Sequence, residues 1–211
     1  MQKDNQILII DYGLGNLNSV ARGVAATGGK PLISQNPKDL LDAKKVILPG
    51  VGAFAAGMEG LKKRKLVKPI LEYVKSGREL LGLCLGMQLL LNSSEEFGNH
   101  QGLGLISGTV KRIKPANKNI FKIPHIGWNS LIKPKGKSWV GTILGDVADG
   151  DMVYFVHSYA PPVNKNSLAQ TEYGGIVFCS VVAKDNVTGT QFHPEKSGAI
   201  GQKILKRFVE K

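Results

Sequence analysis

The chain has 211 residues and a formal net charge of +12, from 28 Lys and Arg against 16 Asp and Glu. That length fits one α/β domain with a sizeable core, so we expect a single domain over residues 1–211. No apolar run approaches the roughly 18 residues of a membrane helix, the first residues carry no apolar signal region, and two cysteines form no disulfide framework. The composition argues against membrane, secreted and disulfide-rich proteins, and it predicts a cytoplasmic location.

The positive charge makes a nucleic-acid-binding module the main rival class. The densest run, residues 62–65, reads Lys-Lys-Arg-Lys and falls in a segment with a helical pattern, where a solvated face is the commoner explanation. The other basic residues are dispersed, and no pattern of stacking aromatic residues accompanies them. We therefore expect no nucleic-acid partner and attribute the charge to solubility or to attraction toward an acidic partner subunit.

The first half of the chain alternates between strand-like and helix-like segments. Strands are predicted at residues 6–10, 31–34, 45–48 and 80–83, and they are followed by a helix at 16–26, a helical turn near 37–41, a helix reaching residue 75 and a helix at 85–91. Such alternation is typical of a parallel, doubly wound sheet, with functional loops at the carboxyl ends of the strands.

The second half has a different pattern, with short strands between turns such as Gly174-Gly175 and Asp185-Asn186, and a closing helix at residues 200–209. We expect these strands to extend the central sheet and to form a smaller one. The sequence therefore predicts an α/β fold: a doubly wound, mostly parallel central sheet with helices on both faces, plus a smaller antiparallel sheet.

A cysteine lies between the fourth predicted strand and its helix. Residues 82–88 read Gly-Leu-Cys-Leu-Gly-Met-Gln, and small residues on both sides of Cys84 allow the tight turn of a nucleophile elbow. A helix that begins just after the cysteine favours the thiolate. The alternative is a buried core cysteine among leucines, so the catalytic interpretation requires a second side chain that can act as a base for Cys84.

Candidate partners follow the last predicted strand, where residues 191–197 read Gln-Phe-His-Pro-Glu-Lys-Ser. A nucleophilic cysteine needs a base, and the base needs an acceptor that fixes its tautomer. His193 and Glu195 can fill these two roles. Alone they could equally be an exposed histidine and a carboxylate in the first turn of a helix.

A glycine-rich loop, residues 49–54, follows the third predicted strand and reads Pro-Gly-Val-Gly-Ala-Phe. Such a loop is often only a turn between strand and helix. Beside the elbow, however, the backbone N–H groups of Gly50, Val51 and Gly52 could hold an oxyanion together with that of Leu85.

Seven segments together resemble the class I (triad) glutamine amidotransferases and, more narrowly, the glutaminase subunits of imidazole glycerol phosphate synthase. The segments are residues 11–17, 49–54, 82–88, 102–106, 124–129, 154–159 and 191–197. The resemblance implies that Cys84 attacks glutamine to form a thioester, that His193 transfers protons, and that Glu195 orients His193. It also implies that Gln88 and Glu96 hold the α-end of glutamine with backbone groups of Ser158 and Tyr159, although Glu95 could replace Glu96.

The resemblance further implies a partner: a cyclase subunit with a (βα)8-barrel fold, which forms a heterodimer with the glutaminase and uses its ammonia in histidine biosynthesis. The glutaminase would be nearly idle until this partner binds its ligand. Residues implied to face the partner are Asn16, Trp128, Tyr154 and Lys196. No cofactor is expected, and no metal, because no two of His100, His125, His157 and His193 have the close spacing of a zinc site.

Three alternatives stay open at this point. A paralogous glutaminase that supplies an amidino-sugar synthase of surface polysaccharide synthesis would share every motif above. A catalytically silent module on the same fold is a second alternative, and the presence of Cys84, His193 and Glu195 argues against it. A different thiol hydrolase, such as a peptidase, would not need Gln88 or the partner-facing segments.

Overall fold

The structure is a computed structural model that describes residues 5–116 and 121–211. The amino-terminal residues 1–4, where the sequence shows no signal region, lie outside the described residues. Within the described ranges, no helix is both long and apolar enough to span a bilayer.

Strands and helices alternate through residue 94 and give way to mainly strands until the last helix. The strands are β1 (Gln6–Ile10), β2 (Lys30–Ser34), β3 (Lys45–Leu48), β4 (Glu79–Leu83), β5 (Leu91–Ser94), β6 (His100–Gln101), β7 (Ile106–Arg112), β8 (His125–Ser130), β9 (Met152–His157), β10 (Tyr159–Ala160), β11 (Ser167–Tyr173), β12 (Ile176–Lys184) and β13 (Val187–Thr190). The helices are α1 (Leu17–Ala26), α2 (Pro37–Asp42), α3 (Phe54–Lys63), α4 (Val67–Lys75), α5 (Leu85–Leu89) and α6 (Gly198–Glu210), with a 3-10 turn at Pro194–Lys196.

The central sheet has seven strands in the order β11-β12-β13-β4-β3-β1-β2. The five strands from β13 to β2 are parallel, and β12 and β11 add an antiparallel edge. The antiparallel pair β8–β9 forms a smaller sheet, as predicted. A four-stranded mixed sheet, β10-β7-β5-β6, was not anticipated from the sequence.

Both faces of the central sheet are buried. Ile7 and Ile9 of β1 belong to one core cluster together with side chains of α1 and α6. Leu8 and Ile10 belong to the other cluster, with side chains of α3 and α4. Because successive side chains of a strand point to opposite faces, each parallel strand needs apolar residues throughout, and helices must cover it on both sides.

Two predicted helices were wrong in their extent. The helix expected to reach residue 75 is divided into α3 and α4 at Lys65, which adopts a left-handed φ of 55°. There the N–H of Leu66 donates to the carbonyl of Leu61, the closing bond of a Schellman-type end. The helix expected at 85–91 ends at Leu89, and Leu91 begins β5 instead, because that strand pairs with β7.

Candidate active site

Three neighbouring parallel strands bring the three predicted motifs to one edge of the sheet. β4 pairs with β3 on one side and with β13 on the other, both in parallel register. The loop at residues 49–53, Cys84 and the segment at 191–193 follow the carboxyl ends of these strands. Parallel strands end at the same edge, so residues distant in the sequence meet there.

The turn at Cys84 has the geometry of a nucleophile elbow. Cys84 has a left-handed φ of 53°, and its N–H donates to the carbonyl of Thr190 at 2.7 Å, which ties the turn to β13. A Cβ atom at Gly86 would collide with the carbonyl oxygen of Leu48, so the turn can approach β3 this closely only with glycine there. Cys84 is 6% exposed and lines a cavity.

His193 and Glu195 form a buried pair next to Cys84. Nδ1 of His193 lies 2.8 Å from Oε1 of Glu195, and both side chains are buried. Burial by itself lowers the pKa of His193, but Cys84 and Glu195 outweigh it and raise that pKa from 6.5 to about 10. Within residues 5–116 and 121–211, the buried Nε2 of His193 has no hydrogen-bond partner. The pair therefore holds a protonated imidazole at neutral pH, with Nε2 available for proton transfer.

A cavity of about 290 Å³ opens at Cys84. Of the two adjacent glutamates, Glu96 lines it, and one oxygen of Glu96 accepts the N–H of Phe54 at 2.7 Å. Glu95 is exposed and lies 3.3 Å from Lys111 in an ion pair. The remaining lining residues come from the glycine-rich loop after β3, the start of α5, the residue before β8, and the segment from the end of β9 to β10: Val51, Gly52, Leu85, Gln88, Pro124, Val156, His157, Ser158 and Tyr159.

The orientation of the Gln88 amide follows from its neighbours. Its Nε2 donates to the Tyr159 carbonyl at 2.9 Å and to Oε1 of Gln191 at 3.0 Å. Both N–H bonds are therefore used, and Oε1 of Gln88 is left for a donor in the cavity. Gln191, which the sequence reasoning did not assign, is fully buried, and its own Nε2 lies 3.9 Å from the sulfur of Cys84.

The oxyanion loop (residues 49–52) is not arranged to hold an oxyanion. The N–H of Leu85 already donates to the carbonyl of Gly50, at 3.3 Å. In a trans peptide the carbonyl of Gly50 and the N–H of Val51 point in opposite directions, so the Val51 donor faces away from Leu85. The orientation of the Gly50–Val51 peptide therefore prevents the N–H groups of Val51 and Leu85 from pointing at the same oxyanion.

Comparisons with known proteins show to which family the chain belongs. The family model "Glutamine amidotransferase class-I" matches residues 8–211. The chain belongs to the class-I glutamine amidotransferases. Within that family it is 48% identical, over 96% of this chain and 97% of the relative, to the imidazole glycerol phosphate synthase subunit HisH of Geobacter metallireducens. It is 50% identical to the HisH subunit of Methanosarcina acetivorans, over 97% and 98% of the two chains.

The fold of this amidotransferase is also found in solved structures of low sequence similarity. A chain in the structure of PurLQS from Thermotoga maritima superposes with a TM-score of 0.72 at 17% identity, covering 99% of both chains. At that identity the likeness concerns the fold alone, and it agrees with the predicted doubly wound architecture.

The four residues expected to face a partner surround the 3-10 turn that carries Glu195. Asn16 caps α1, which packs against that turn, and Lys196 lies exposed within the turn. Trp128 is 53% exposed, and its ring centroid lies 6.2 Å from that of Tyr154. The carbonyl of Tyr154 accepts the N–H of His193 at 3.0 Å. In this amidotransferase the expected partner face therefore directly adjoins the candidate catalytic pair.

No role in the site was predicted from the sequence for His125 and His157. Both side chains are buried and joined by a hydrogen bond of 3.1 Å, and His157 lines the cavity. Their presence in the resembling segments 124–129 and 154–159 was the only signal available from the sequence. In residues 5–116 and 121–211, no three His, Cys, Asp or Glu side chains are grouped to hold a metal ion.

Proposed function

We propose that this chain is the glutaminase subunit of imidazole glycerol phosphate synthase and hydrolyses glutamine to glutamate and ammonia. The observation that carries the proposal is the meeting of Cys84, which lines the cavity, with the buried pair His193 and Glu195, where Cys84 and Glu195 raise the pKa of His193. The names of the HisH relatives favour this pathway over the amidino-sugar alternative.

The proposed reaction proceeds through a thioester. The Cys84 thiolate attacks the carboxamide carbon of glutamine, and the carbonyl π electrons move onto oxygen. When the tetrahedral intermediate collapses, the C–N bond breaks and protonated His193 gives its proton to the departing nitrogen, which leaves as ammonia. His193, now neutral, takes a proton from water as the water attacks the γ-glutamyl thioester. The C–S bond then breaks, and glutamate, thiolate and imidazolium are restored. Glu195 stabilises the imidazolium throughout.

The cavity suits the charged end of glutamine. Oε1 of Gln88 and the carboxylate of Glu96 are two acceptors that line the cavity, and an α-ammonium group, which has only donors, requires such acceptors. We assign the α-carboxylate to backbone groups of Ser158 and Tyr159, which line the same cavity. A volume of about 290 Å³ is adequate for one amino acid and small for a peptide.

The low activity implied for the free subunit has a structural explanation in the oxyanion loop. A half-turn of the Gly50–Val51 peptide would withdraw the Gly50 carbonyl from Leu85 and point the N–H of Val51 at the site. Two donors, Val51 and Leu85, with Gly52 adjacent, would then face the oxyanion. Partner binding needs only to favour the turned peptide to activate hydrolysis.

The proposed docking surface for the cyclase is the outer face of the hairpin β8–β9. Cross-strand pairs place Ile126 opposite Val156, and Trp128 opposite Tyr154. Ile126 and Trp128 are 59% and 53% exposed, an unusual exposure for large apolar side chains close together. We propose that a (βα)8-barrel cyclase covers this face, together with Asn16 and Lys196, and receives the ammonia.

We also propose that residues 1–211 act as one domain in the cytoplasm. Residues far apart in the sequence contribute to one site, since Val51 and Gly52, which follow β3, line the cavity, while His193, which follows β13, lies next to Cys84. Cys84 and Cys179 are both free thiols, which suits a reducing compartment.

The experiment is an assay of glutamate and ammonia released from glutamine. The purified chain is measured alone, with the cyclase subunit, and with the cyclase subunit plus its nucleotide substrate, and Cys84→Ala serves as the control in each case. We expect strong activation by the liganded cyclase that is absent in Cys84→Ala. Hydrolysis that requires an amidino-sugar synthase instead would move the protein to the other pathway, and no hydrolysis with either partner would refute the glutaminase.

A further inference from the structure

The hairpin β8–β9 has an inner face as well as an outer one. Alternation along the strands turns His125, Asn129 and His157 inward, opposite to the exposed Trp128. His125 and His157 are 2% and 6% exposed and lie in an aromatic cluster, where the His125 ring stacks on Tyr173 at 4.0 Å and on Phe155 at 5.0 Å. Neither histidine has a role in the proposed thioester chemistry.

The tautomers of both histidines follow from one carbonyl. Nδ1 of His157 lies 3.0 Å from the carbonyl oxygen of Tyr159, which can only accept, so Nδ1 carries the proton. Nε2 of neutral His157 is then an acceptor and takes the Nδ1–H of His125 at 3.1 Å. Nε2 of His125 in turn faces the Asn129 amide nitrogen at 3.4 Å, which also donates to the Glu172 carbonyl at 2.9 Å. The donors all point in one direction, from Asn129 to Tyr159.

The same Tyr159 carbonyl accepts the side chain of Gln88 at 2.9 Å. Two hydrogen-bonded arms therefore end on one oxygen: His157, His125 and Asn129 on one side, and Gln88 with Gln191 on the other. If the His157 donor is lost, the carbonyl is free to move with its strand. The Gln88 amide then loses its fixed orientation, because its Oε1 faces the cavity only while both of its N–H groups are hydrogen-bonded.

Both imidazoles are suited to remain neutral. Burial lowers the pKa of His125 to about 4. Burial also lowers the pKa of His157, to about 3, and the Tyr159 carbonyl opposes this only in part. A second proton on His157, at Nε2, would place two N–H groups against each other across the 3.1 Å contact with His125. A second proton on His125, at Nε2, would instead face the N–H donor of Asn129 at 3.4 Å.

We propose that His125 and His157 are positioning residues, which hold the Tyr159 carbonyl and through it the Gln88 amide, so that the hairpin facing the partner also sets the affinity for glutamine. The inference rests on the proposed glutaminase function. It assigns the histidines no contact with substrate, and it predicts an effect on glutamine binding rather than on the chemical step.

The test compares two substitutions at one position, in the complex with liganded cyclase. His157→Phe keeps a ring and removes the donor, whereas His157→Asn keeps a donor at the position of Nδ1. Loss of one net hydrogen bond should raise the KM for glutamine about tenfold in His157→Phe, with kcat within about threefold of wild type. His157→Asn should keep KM within about threefold of wild type. Val153→Ala, which removes buried volume on the same strand, should lower stability and leave KM unchanged.

A second measurement needs no activity and does not depend on the variants folding. Side-chain 15N spectra of the wild-type chain should show His125 and His157 as neutral Nδ1–H tautomers at pH 7. An Nε2–H signal for His157 would overturn the inference. So would a wild-type KM in His157→Phe, or an equal rise of KM in His157→Asn or Val153→Ala. Absence of glutamine hydrolysis by the wild-type complex would instead refute the proposed function.

Discussion

The candidate active site has a triad side, formed by Cys84, His193 and Glu195, and a loop side, formed by residues 49–52. The triad side is already arranged for the proposed reaction, and the loop side is not. On the triad side, Cys84, His193 and Glu195 are buried, and their turns are tied to neighbouring strands by backbone hydrogen bonds such as Cys84 N–H to Thr190 at 2.7 Å. On the loop side, Val51 and Gly52 line the cavity, Val51 is partly exposed, and the Gly50 carbonyl accepts the N–H of Leu85.

This difference assigns two tasks to two parts of the site: the triad side would carry out the reaction, and the loop side would regulate it. The triad side rests on the core of the sheet, where a change of conformation would break packing on both faces. The loop side can change by rotation of a single peptide, which costs little and changes the number of oxyanion donors from none to two. Under the proposed function, we expect the partner to control the loop and to leave the triad unchanged.

The largest expected effect comes from removing the nucleophile. Cys84→Ala should lower kcat of the activated complex by at least about 10³-fold, because no other group can form the thioester. Cys179→Ala is the matched control, since Cys179 is also buried but lies in β12 away from the cavity. Steady-state ammonia release measures both. Activity of Cys84→Ala within tenfold of wild type would refute the catalytic role of the triad side.

A smaller loss is expected from Glu195→Gln, which keeps the shape and removes the charge next to His193. We expect kcat to fall about 10²-fold and the pKa of His193, read from its 15N signals, to move down from about 10.

Stability should depend on pH through the same pair. The folded-state pKa of His193 lies above the 6.5 of a free imidazole, so its protonation stabilises the fold fully below that pH, and the contribution is lost as the pH rises toward about 10. Denaturant unfolding across this interval should show the decline in wild type and a flatter curve in Glu195→Gln. Glu72→Gln, which removes an exposed partner of Lys68, should unfold like wild type. An unchanged curve in Glu195→Gln would show that the pair is not charged.

On the loop side, Gly50→Ala should reduce activation by the partner about tenfold, because a Cβ there would collide with the hydroxyl oxygen of Tyr12 and displace the loop. The ratio of glutaminase activity with and without liganded cyclase measures this. Combining Gly50→Ala with Tyr12→Phe removes the oxygen and should restore part of the ratio. Full activation of the single variant would mean that the loop does not limit activity.

The smallest effect is expected at the outer face of the hairpin. Trp128→Ala should weaken binding of the cyclase about tenfold, because a large exposed aromatic residue is a frequent anchor of an interface. Calorimetric titration of the cyclase measures it. Leu32→Ala, which removes an exposed apolar side chain from the edge strand β2, should bind normally. Equal affinities of the two variants for the cyclase would show that the cyclase does not bind at the outer face of the hairpin.

Local patterns predicted much of the sheet. β1 and β3 have the predicted bounds, and β2 and β4 differ by one residue at the start. These strands are short apolar runs between turn residues, a signal contained within a few neighbouring positions. Two of the predicted helices were wrong in extent. Lys65 takes the left-handed conformation usually given to glycine, and Leu91 is drawn into a strand by pairing with β7.

By itself the sequence determined the fold class, the family resemblance and the residue types of the site, because strand alternation, the elbow and the His-Pro-Glu segment are each encoded in a few adjacent residues. Only the tertiary structure decided that Glu96 rather than Glu95 lines the cavity, that Gln191 holds Gln88, that two histidines meet behind Tyr159, and that the Gly50 carbonyl blocks Leu85. Each of these depends on a hydrogen bond or a contact between segments that are separated in the chain, and such contacts are set by packing rather than by local pattern.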